Sequence, residues 1–297
     1  VGITGCSNTS GGGTGVANED GLVVLNVAST GQPVSFDPAD ANLVVNEYTE
    51  YDCYDTLLDF NQDGTDVVPA LAESWEQVDD LTYTYKIREG VKFSDGSDLT
   101  MDDVLYSLNR VREDAYGMSY LFEHVDSFEV DEKTRTLTVH LTQPDSTWKY
   151  VPATTPCQIL KKSVVETEGD AYGTNEGSVV GTGPYKFVSW AADSQIVLEK
   201  NEYWWGGADN LAIDKINFYV MKDASTIALA VKSGTIDFAP GITNDVLPTY
   251  ESLSNYNIIH DFETSTVFIA LNTQVAPFDD VNARKALSLI HISEPTR

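Results

Sequence analysis

A glycine-rich stretch follows the first cysteine of the chain, which begins VGITGCSNTSGGGTG. Such a stretch can cradle a phosphate, supply a disulfide partner or metal ligand through Cys6, or serve as an attachment point and tether. A phosphate loop follows a strand and carries a lysine or a third spaced glycine, whereas this run precedes the first apolar segment. The tether interpretation is therefore favoured.

The histidines and acidic turns give no support for metal chemistry. No HExxH motif is present, and no two histidines are three to five residues apart; they are His124, His140, His260 and His291. The segment from Asp59 to Gly64 matches the first half of a calcium loop, but the twelfth position is Ala70 instead of glutamate. We therefore expect a tight turn there, and no metal or cofactor.

Nucleophilic catalysis also lacks a motif. The chain has no G-x-S-x-G sequence, and its spacing supports no Cys–His pairing. Its three cysteines, Cys6, Cys53 and Cys157, are too few for a disulfide framework, although a Cys53–Cys157 disulfide is possible. We predict that the protein is not an enzyme.

Composition limits the partners. The 297 residues include 46 acidic and 18 basic residues, so the formal net charge is −28. Such a surface repels nucleic acid and anionic lipid head groups. No apolar run approaches the roughly 18–20 residues that span a bilayer, and the length suffices for two domains.

The apolar patterns predict alternating strands and helices. Residues 22–28 read as a buried strand, residues 42–58 as a helix, and Asp63-Gly64 as a hairpin turn. Thr100 and Asp103 form a capping box at the start of a further helix. Further strands are predicted at 81–87, 128–130, 136–141, 196–198, 216–220, 236–238 and 267–271, and a helix at 224–233 ended by Gly234. This pattern predicts an α/β chain in two lobes.

Four segments, in order, resemble one family. They are PALAESWEQVDDLTYTYKIREGVKFSDGSDLTMDDVLYSLNRV (69–111), GTGPYKFVSW (181–190), LEKNEYWWGG (198–207) and FIALNTQVAPFDDVNARKALS (268–288). On these motifs the chain resembles the family 5 extracellular solute-binding proteins, the oligopeptide- and dipeptide-binding components of ABC importers. It departs from the family where Glu202-Tyr203-Trp204-Trp205 replaces proline-aspartate-tyrosine-tryptophan.

The resemblance implies a type II periplasmic-binding-protein fold with an extra inserted domain and a largely missing C-terminal lobe. Domain I would comprise residues 22–45 and 180–266, domain II residues 46–179, and domain III would begin at residues 267–286. The glycines of GTGPY would permit a chain crossing between lobes. Trp75, Trp190 and Trp205 are expected to pack in the lobes instead of stacking on ligand.

The resemblance also implies ligand-contacting positions. In peptide-binding relatives the segment after an S-x-D-P turn adds an edge strand to the ligand through main-chain hydrogen bonds. Matching that turn to residues 35–38 places Asn42 and Val44 at these positions. The aromatic-rich loop AYGMSYLF (115–122) contributes three more candidates: Tyr116, Met118 and Tyr120.

Sequence patterns at the two ends of the chain lead to two further expectations. Ile3-Thr4-Gly5-Cys6 resembles the end of a bacterial lipoprotein signal, so residues 1–5 would be a signal remnant, Cys6 the acylated residue and 6–21 a tether. At the other end, LSLIHISEPTR resembles a translated sequencing-library adaptor. Residues 287–297 are therefore suspected to be non-native.

The resemblance implies a monomeric, lipid-anchored substrate-binding protein of an ABC importer. It would lie outside the cytoplasm, close around a peptide, and deliver it to a membrane permease. Oligosaccharides and chelated metals such as nickel are alternative ligands. A surface sensory or adhesive protein with the same fold, or a secreted hydrolase, are the alternative functions.

Overall fold

The computed structural model describes residues 21–39, 44–113, 118–260 and 269–290. The chain divides into two compact units, Val1–Leu253 and Ser254–Arg297. In chain order the strands and α-helices are β1 (Val24–Ser29), α1 (Val44–Cys53), β2 (Leu58–Phe60), β3 (Val67–Pro69), β4 (Ala72–Asp79), β5 (Thr82–Ile87), α2 (Met101–Glu113), β6 (Val125–Asp131), β7 (Thr136–Leu141), α3 (Lys162–Glu168), β8 (Tyr185–Ala191), β9 (Gln195–Lys200), β10 (Lys215–Val220), α4 (Ala224–Ser233), α5 (Leu247–Glu251) and α6 (Val281–Ile290).

The first sheet has the order β1-β10-β9-β8 and joins distant parts of the chain. β1 runs parallel to β10, with Val27 opposite Phe218, and β10 and β9 are antiparallel. Its apolar side chains form a buried core with Phe36, Tyr54 and Tyr185. The strand predicted at 236–238 is wrong: only an isolated bridge from Phe238 to Val27 forms, because Gly234 and Gly241 turn the chain on both sides.

The second sheet, of order β4-β5-β7-β6, confirms the predicted strand alternation. Tyr83, Tyr85 and Ile87 point into the core and are at most 3% exposed. Leu137 and Val139 of β7 lie opposite them and are equally buried. Every second residue of a strand faces the same side of the sheet. The apolar residues at these alternate positions in β5 and β7 therefore all face the core.

Helix α2 begins with the predicted capping box. The Asp103 backbone N–H donates to Thr100 Oγ1 at 3.1 Å, and the Thr100 backbone N–H donates to Asp103 Oδ2 at 3.0 Å. The box satisfies two backbone donors that the first helical turn leaves without partners. One face of the helix then packs Val104, Leu108 and Val111 against the second sheet's core.

The helix predicted over 42–58 is shorter than expected. α1 ends at Cys53, where the Cys53 carbonyl accepts the Gly183 N–H at 3.0 Å, and Leu58 already pairs with Pro69 in the β2–β3 hairpin. The predicted hairpin turn is confirmed, and Gly64 takes a positive φ of 65° within it. Residues 42 and 43 lie outside the described residues.

Helix α4 confirms the prediction at both ends. Asp223 Oδ1 accepts the Thr226 N–H at 2.8 Å, and Gly234 adopts the left-handed conformation after the last turn. No described helix is long and apolar enough to cross a membrane.

Within the second unit, the predicted buried strand at 267–271 is wrong over its described part. Residues 269–271 are not in a strand, and Ile269 is 68% exposed. The described residues of this unit contain no strand, so the backbone of residues 269–271 has no neighbouring strand with which to form hydrogen bonds. Helix α6 follows at Val281–Ile290.

Cys53 and Cys157 are both buried free thiols, so the possible disulfide does not form. The two residues belong to different cores: Cys53 packs with the first sheet's cluster and Cys157 with the second's.

Candidate functional site

The predicted ligand-contacting residues lie within or beside two stretches, 40–43 and 114–117, that are outside the described residues. Asn42 and Tyr116 lie outside the described residues, as does Cys6. Val44 is the first residue of α1, and Met118 and Tyr120 lie at a short 3₁₀ turn that precedes β6. The described segments beside these stretches are the turn at Ser35–Pro38, the start of α1, the end of α2 and the 3₁₀ turn before β6.

The turn at Ser35–Pro38 is fixed by its own hydrogen bonds and by its neighbours. Ser35 Oγ accepts the Asp37 N–H at 2.9 Å, and Asp37 Oδ1 accepts the Ala39 N–H at 3.0 Å. The Phe36 N–H donates to the Gly173 carbonyl at 2.7 Å. These are the local side-chain-to-backbone bonds that stabilise tight turns.

Phe36 buries the middle of this turn. Its side chain is fully buried, and its ring contacts the edges of Phe187 and Trp190 with centroid distances of 5.1 and 5.9 Å. Edge-to-face pairs of this kind stabilise beyond the area they bury. The turn is thus attached to strand β8.

A buried ion pair links the turn to helix α2. Arg110 donates from both terminal nitrogens to the two Asp37 carboxylate oxygens, at 2.6 Å each. The Asp37 side chain is 9% exposed and that of Arg110 is 12% exposed. Sequence reasoning missed this pair, because the two residues are 73 positions apart and no local pattern relates them.

Two tyrosines lie beside this ion pair. The hydroxyls of Tyr54 and Tyr172 are 2.8 Å apart and buried. Burial raises the pKa of the Tyr172 hydroxyl; the Tyr54 hydrogen bond lowers that pKa, the Asp37 charge raises it and the Arg110 charge lowers it. Both members of the ion pair are therefore close enough to act electrostatically on this hydroxyl.

The turn before β6 separates an exposed aromatic residue from a buried one. Tyr120 is 63% exposed, whereas Phe122 is 3% exposed. The Phe122 ring contacts Trp148 and Phe128 with centroid distances of 5.6 and 6.3 Å. Phe122 thus fixes the turn, and Tyr120 presents its ring to solvent.

The GTGPY segment passes very close to the end of α1. A Cβ added at Gly181 would lie 2.1 Å from the Cys53 carbonyl oxygen, and one at Gly183 would lie 2.5 Å from the Cys53 carbonyl carbon. Both distances are too short for any side chain. The glycines are therefore required by a close backbone crossing. That this crossing connects two lobes stays a prediction.

The tryptophans pack as expected. Trp75 and Trp205 lie partly buried against the second sheet's core, and Trp190 against the first sheet's core. Trp205 Nε1 donates to Asp55 Oδ2 at 2.8 Å, and the Arg88 guanidinium lies 4.5 Å from the Trp205 ring centre. Such a cation–π contact and hydrogen bond fix the ring inside the protein.

Two acidic residues lie near the crossing, of which Asp52 is buried and Asp55 is partly buried. Burial raises the pKa of Asp52 from 3.8 to about 7, and burial likewise raises the pKa of Asp55 to about 7 against the lowering effect of its Trp205 hydrogen bond. Among the described residues, no group of three His, Cys, Asp or Glu could hold a metal ion.

A surface depression of about 440 Å³ lies between the start of α2 and the start of α3. Its Lys162 is already paired with Asp102 at 2.9 Å. This depression is open to solvent, and none of the predicted ligand-contacting residues lines it.

The fold is that of the periplasmic binding proteins. Residues 66–290 match the family model described as "Bacterial extracellular solute-binding proteins, family 5 Middle". Because this match covers more than half of the chain, the chain belongs to family 5 of the bacterial extracellular solute-binding proteins.

Curated relatives and solved structures agree with this assignment. The chain is 28% identical over 284 residues to Heme-binding protein A of Haemophilus influenzae, covering 86% of this chain and 50% of that one. It is 27% identical over 306 residues to the oligopeptide-binding protein OppA of Bacillus subtilis, covering 96% and 55%. The B. subtilis oligopeptide-binding protein AppA, solved with a nonapeptide, matches 89% of this chain and 53% of its own with TM-score 0.80 and 26% identity. The chain spans about half the length of the curated relatives it matches.

Proposed function

We propose that this chain is part of the substrate-binding component of an ABC importer and captures peptides outside the cytoplasm. The observation that carries the proposal is the match of 89% of the chain to AppA, which was solved with a nonapeptide. No covalent step is needed for capture, in keeping with relatives that are solute-binding proteins.

In the proposed mechanism, a ligand between two lobes stabilises the closed form by its greater affinity for that form. Residues 22–45 and 180–266 would form domain I, 46–179 domain II, and 267 onward the start of domain III. The pairing of β1 with β10 supports the first assignment, since it joins the two parts of domain I in one sheet.

Ligand contacts would come from two regions of the first unit. Asn42 and Val44 would contact an extended peptide through the main chain, which recognises peptides with little dependence on sequence. Val44 would do so from the first turn of α1, and not from the edge strand expected from the sequence. Tyr116, Met118 and Tyr120 would contact ligand side chains. The exposure of Tyr120 supports its availability for such a contact.

Cys6 would carry a lipid anchor beside the permease that receives the ligand. Each buried methylene of an acyl chain contributes about 0.8 kcal/mol to membrane binding, so several chains anchor stably. Replacing Cys6 with alanine is expected to release the protein from the membrane fraction of a bacterial host. Retention of this variant in the membrane fraction would refute the anchor.

The identity of the bound ligand decides which kind of importer the protein would serve. The protein is to be purified under native conditions and its co-purified ligand identified by mass spectrometry. Peptides are the expected result; heme in their place would favour a second candidate, since Heme-binding protein A is among the similar relatives. Adjacent permease and ATPase genes would support transport, whereas an adjacent sensor kinase would support the sensory alternative.

A further inference from the structure

Asp55 joins three segments of the first unit. Its Oδ2 accepts the Trp205 indole N–H at 2.8 Å, and its backbone carbonyl accepts the Ile159 N–H at 2.9 Å. Trp205 lies between β9 and β10 of the first sheet, yet its ring packs against the core of the second sheet. The Asp55 side chain therefore holds a loop of one sheet against the core of the other. We propose that the Asp55 carboxyl group is a pH-sensitive clasp, which keeps Trp205 in place when it is protonated and releases it when it is ionised.

The immediate surroundings of the carboxyl group favour its neutral form. An ionised carboxylate offers about four acceptor positions. Among the described residues, the Trp205 indole is the donor that bonds to it, and the hydroxyl of the fully buried Thr182 also acts on it. Desolvation of a charge that is so incompletely bonded is costly. Removing the proton therefore creates a charge that this site stabilises poorly.

The charged groups around Asp55 do not offset this cost. Arg88, directly after β5, attracts the carboxylate, but its Nε donates to the Ala70 carbonyl at 2.6 Å and its guanidinium lies 4.5 Å from the Trp205 ring centre. Asp59 of β2 adds a second negative charge. Burial is the largest effect and raises the pKa of Asp55 from 3.8 to about 7. The group therefore changes its charge near neutral pH.

Ionisation shifts the clasp toward an open arrangement in which water reaches Asp55. In that arrangement the carboxyl group has its ordinary pKa near 4. Because the pKa is higher in the closed arrangement, the closed form is fully favoured below about pH 4 and loses this advantage as the pH rises to about 7. Within that interval, each pH unit raises the ratio of open to closed molecules by up to about tenfold.

The release is confined to one end of the loop that carries Trp205. Asn201 begins the same loop and is fully buried. Its Nδ2 donates to the Gly183 carbonyl at 2.8 Å, and its backbone N–H donates to the Pro184 carbonyl at 2.9 Å. Neither bond involves an ionisable group. The backbone crossing at Gly183 therefore stays in place while Trp205 is released, which makes the clasp a local device that is separate from global unfolding.

The test is hydrogen exchange of the tryptophan indole N–H groups, followed by NMR spectroscopy on the 297-residue chain without ligand at pH 5, 6, 7 and 8. Trp205→Phe identifies the Trp205 signal by its loss. Trp190 is the internal control, because its buried Nε1 has no hydrogen-bond partner among the described residues and both indoles share the ordinary pH dependence of exchange. The ratio of the Trp205 rate to the Trp190 rate is expected to rise by up to about tenfold per pH unit to pH 7 and then to level off. A ratio that is independent of pH would overturn the proposal.

Asp55→Asn keeps the shape and an acceptor oxygen but cannot ionise, so in this variant the ratio should no longer change with pH; a ratio that still rises would also overturn the proposal. Urea below the unfolding transition separates local release from global unfolding, because only global unfolding exposes much surface. The Trp205 rate is expected to stay constant in this urea while the backbone amides of residues 83–87 and 137–141 exchange faster, and equal acceleration of Trp205 would contradict a local clasp. If Asp55→Asn does not fold, the pH ratio and the urea response of the unsubstituted protein decide. No ligand is used, so the result is independent of the proposed function.

Discussion

Replacing Asp52 with asparagine is expected to stabilise the protein increasingly as the pH rises from about 4 to 7, and to remove part of its pH dependence. Asp52 is 6% exposed, and burial raises its pKa from 3.8 to about 7. In the unfolded chain the carboxyl has its ordinary pKa near 4. Between these two values the folded state binds a proton that the unfolded state does not, so stability falls as the pH rises.

The magnitude follows from the interval between the two pKa values. Each pH unit within it changes the free energy of unfolding by about 1.4 kcal/mol, so the full interval corresponds to at most about 4 kcal/mol. Below pH 4 this group has no adverse effect; above pH 7 its effect is complete. Asparagine has the same shape and no ionisable proton, so it avoids the whole cost.

The assay is urea unfolding of the 297-residue chain and of Asp52→Asn at pH 5, 6, 7 and 8. The difference in the free energy of unfolding should grow by roughly 1 kcal/mol per pH unit up to pH 7 and then level off. A matched control is Asp66→Asn, whose carboxyl is exposed and has a pKa lowered mainly by its hydrogen bond from Lys149. The control difference should stay constant over this range, and a constant difference for Asp52→Asn as well would refute the reasoning.

Three further substitutions test the packing around the candidate site. Gly183→Ala forces a Cβ against the Cys53 backbone and should lower stability by about 1–3 kcal/mol in urea unfolding, whereas a neutral result would contradict the close crossing. Trp205→Phe removes the hydrogen bond to Asp55 and should cost about 1–3 kcal/mol, measured by the same method. Tyr120→Ala should change the unfolding midpoint very little, because the side chain is 63% exposed, while weakening binding of the peptide that co-purifies with the protein; unchanged affinity would remove Tyr120 from the site.

The sequence correctly predicted those elements that are determined by residues close to each other along the chain. The Thr100–Asp103 capping box and the Gly234 helix end depend on residues within a few positions of each other, and both form as predicted. The alternation from Tyr83 to Ile87 likewise needs only the two-residue period of a strand.

Some differences from the predictions depend on distant residues, whereas the failed strand at 236–238 is bounded by the local turns at Gly234 and Gly241. α1 ends at Cys53 because a backbone from position 183 reaches it. Residues 236–238 are apolar enough for a strand, yet they gain only one bridge to β1. The Asp37–Arg110 pair was not predicted either, because no local sequence pattern relates two charged residues that are 73 positions apart.

The parallel pairing of β1 with β10 sets an order on how this chain can fold. All four strands of the second sheet, β4 to β7, have been synthesised once the chain reaches Leu141. Val24 of β1, in contrast, pairs with Lys215, which is synthesised much later. At ~5–20 residues per second of synthesis, the 191 residues between them take about 10–40 s to appear. Contacts this distant form late and slowly. Throughout that interval the apolar face of β1 is without its partner strand, so among the described strands β1 is the one exposed to aggregation for longest during synthesis.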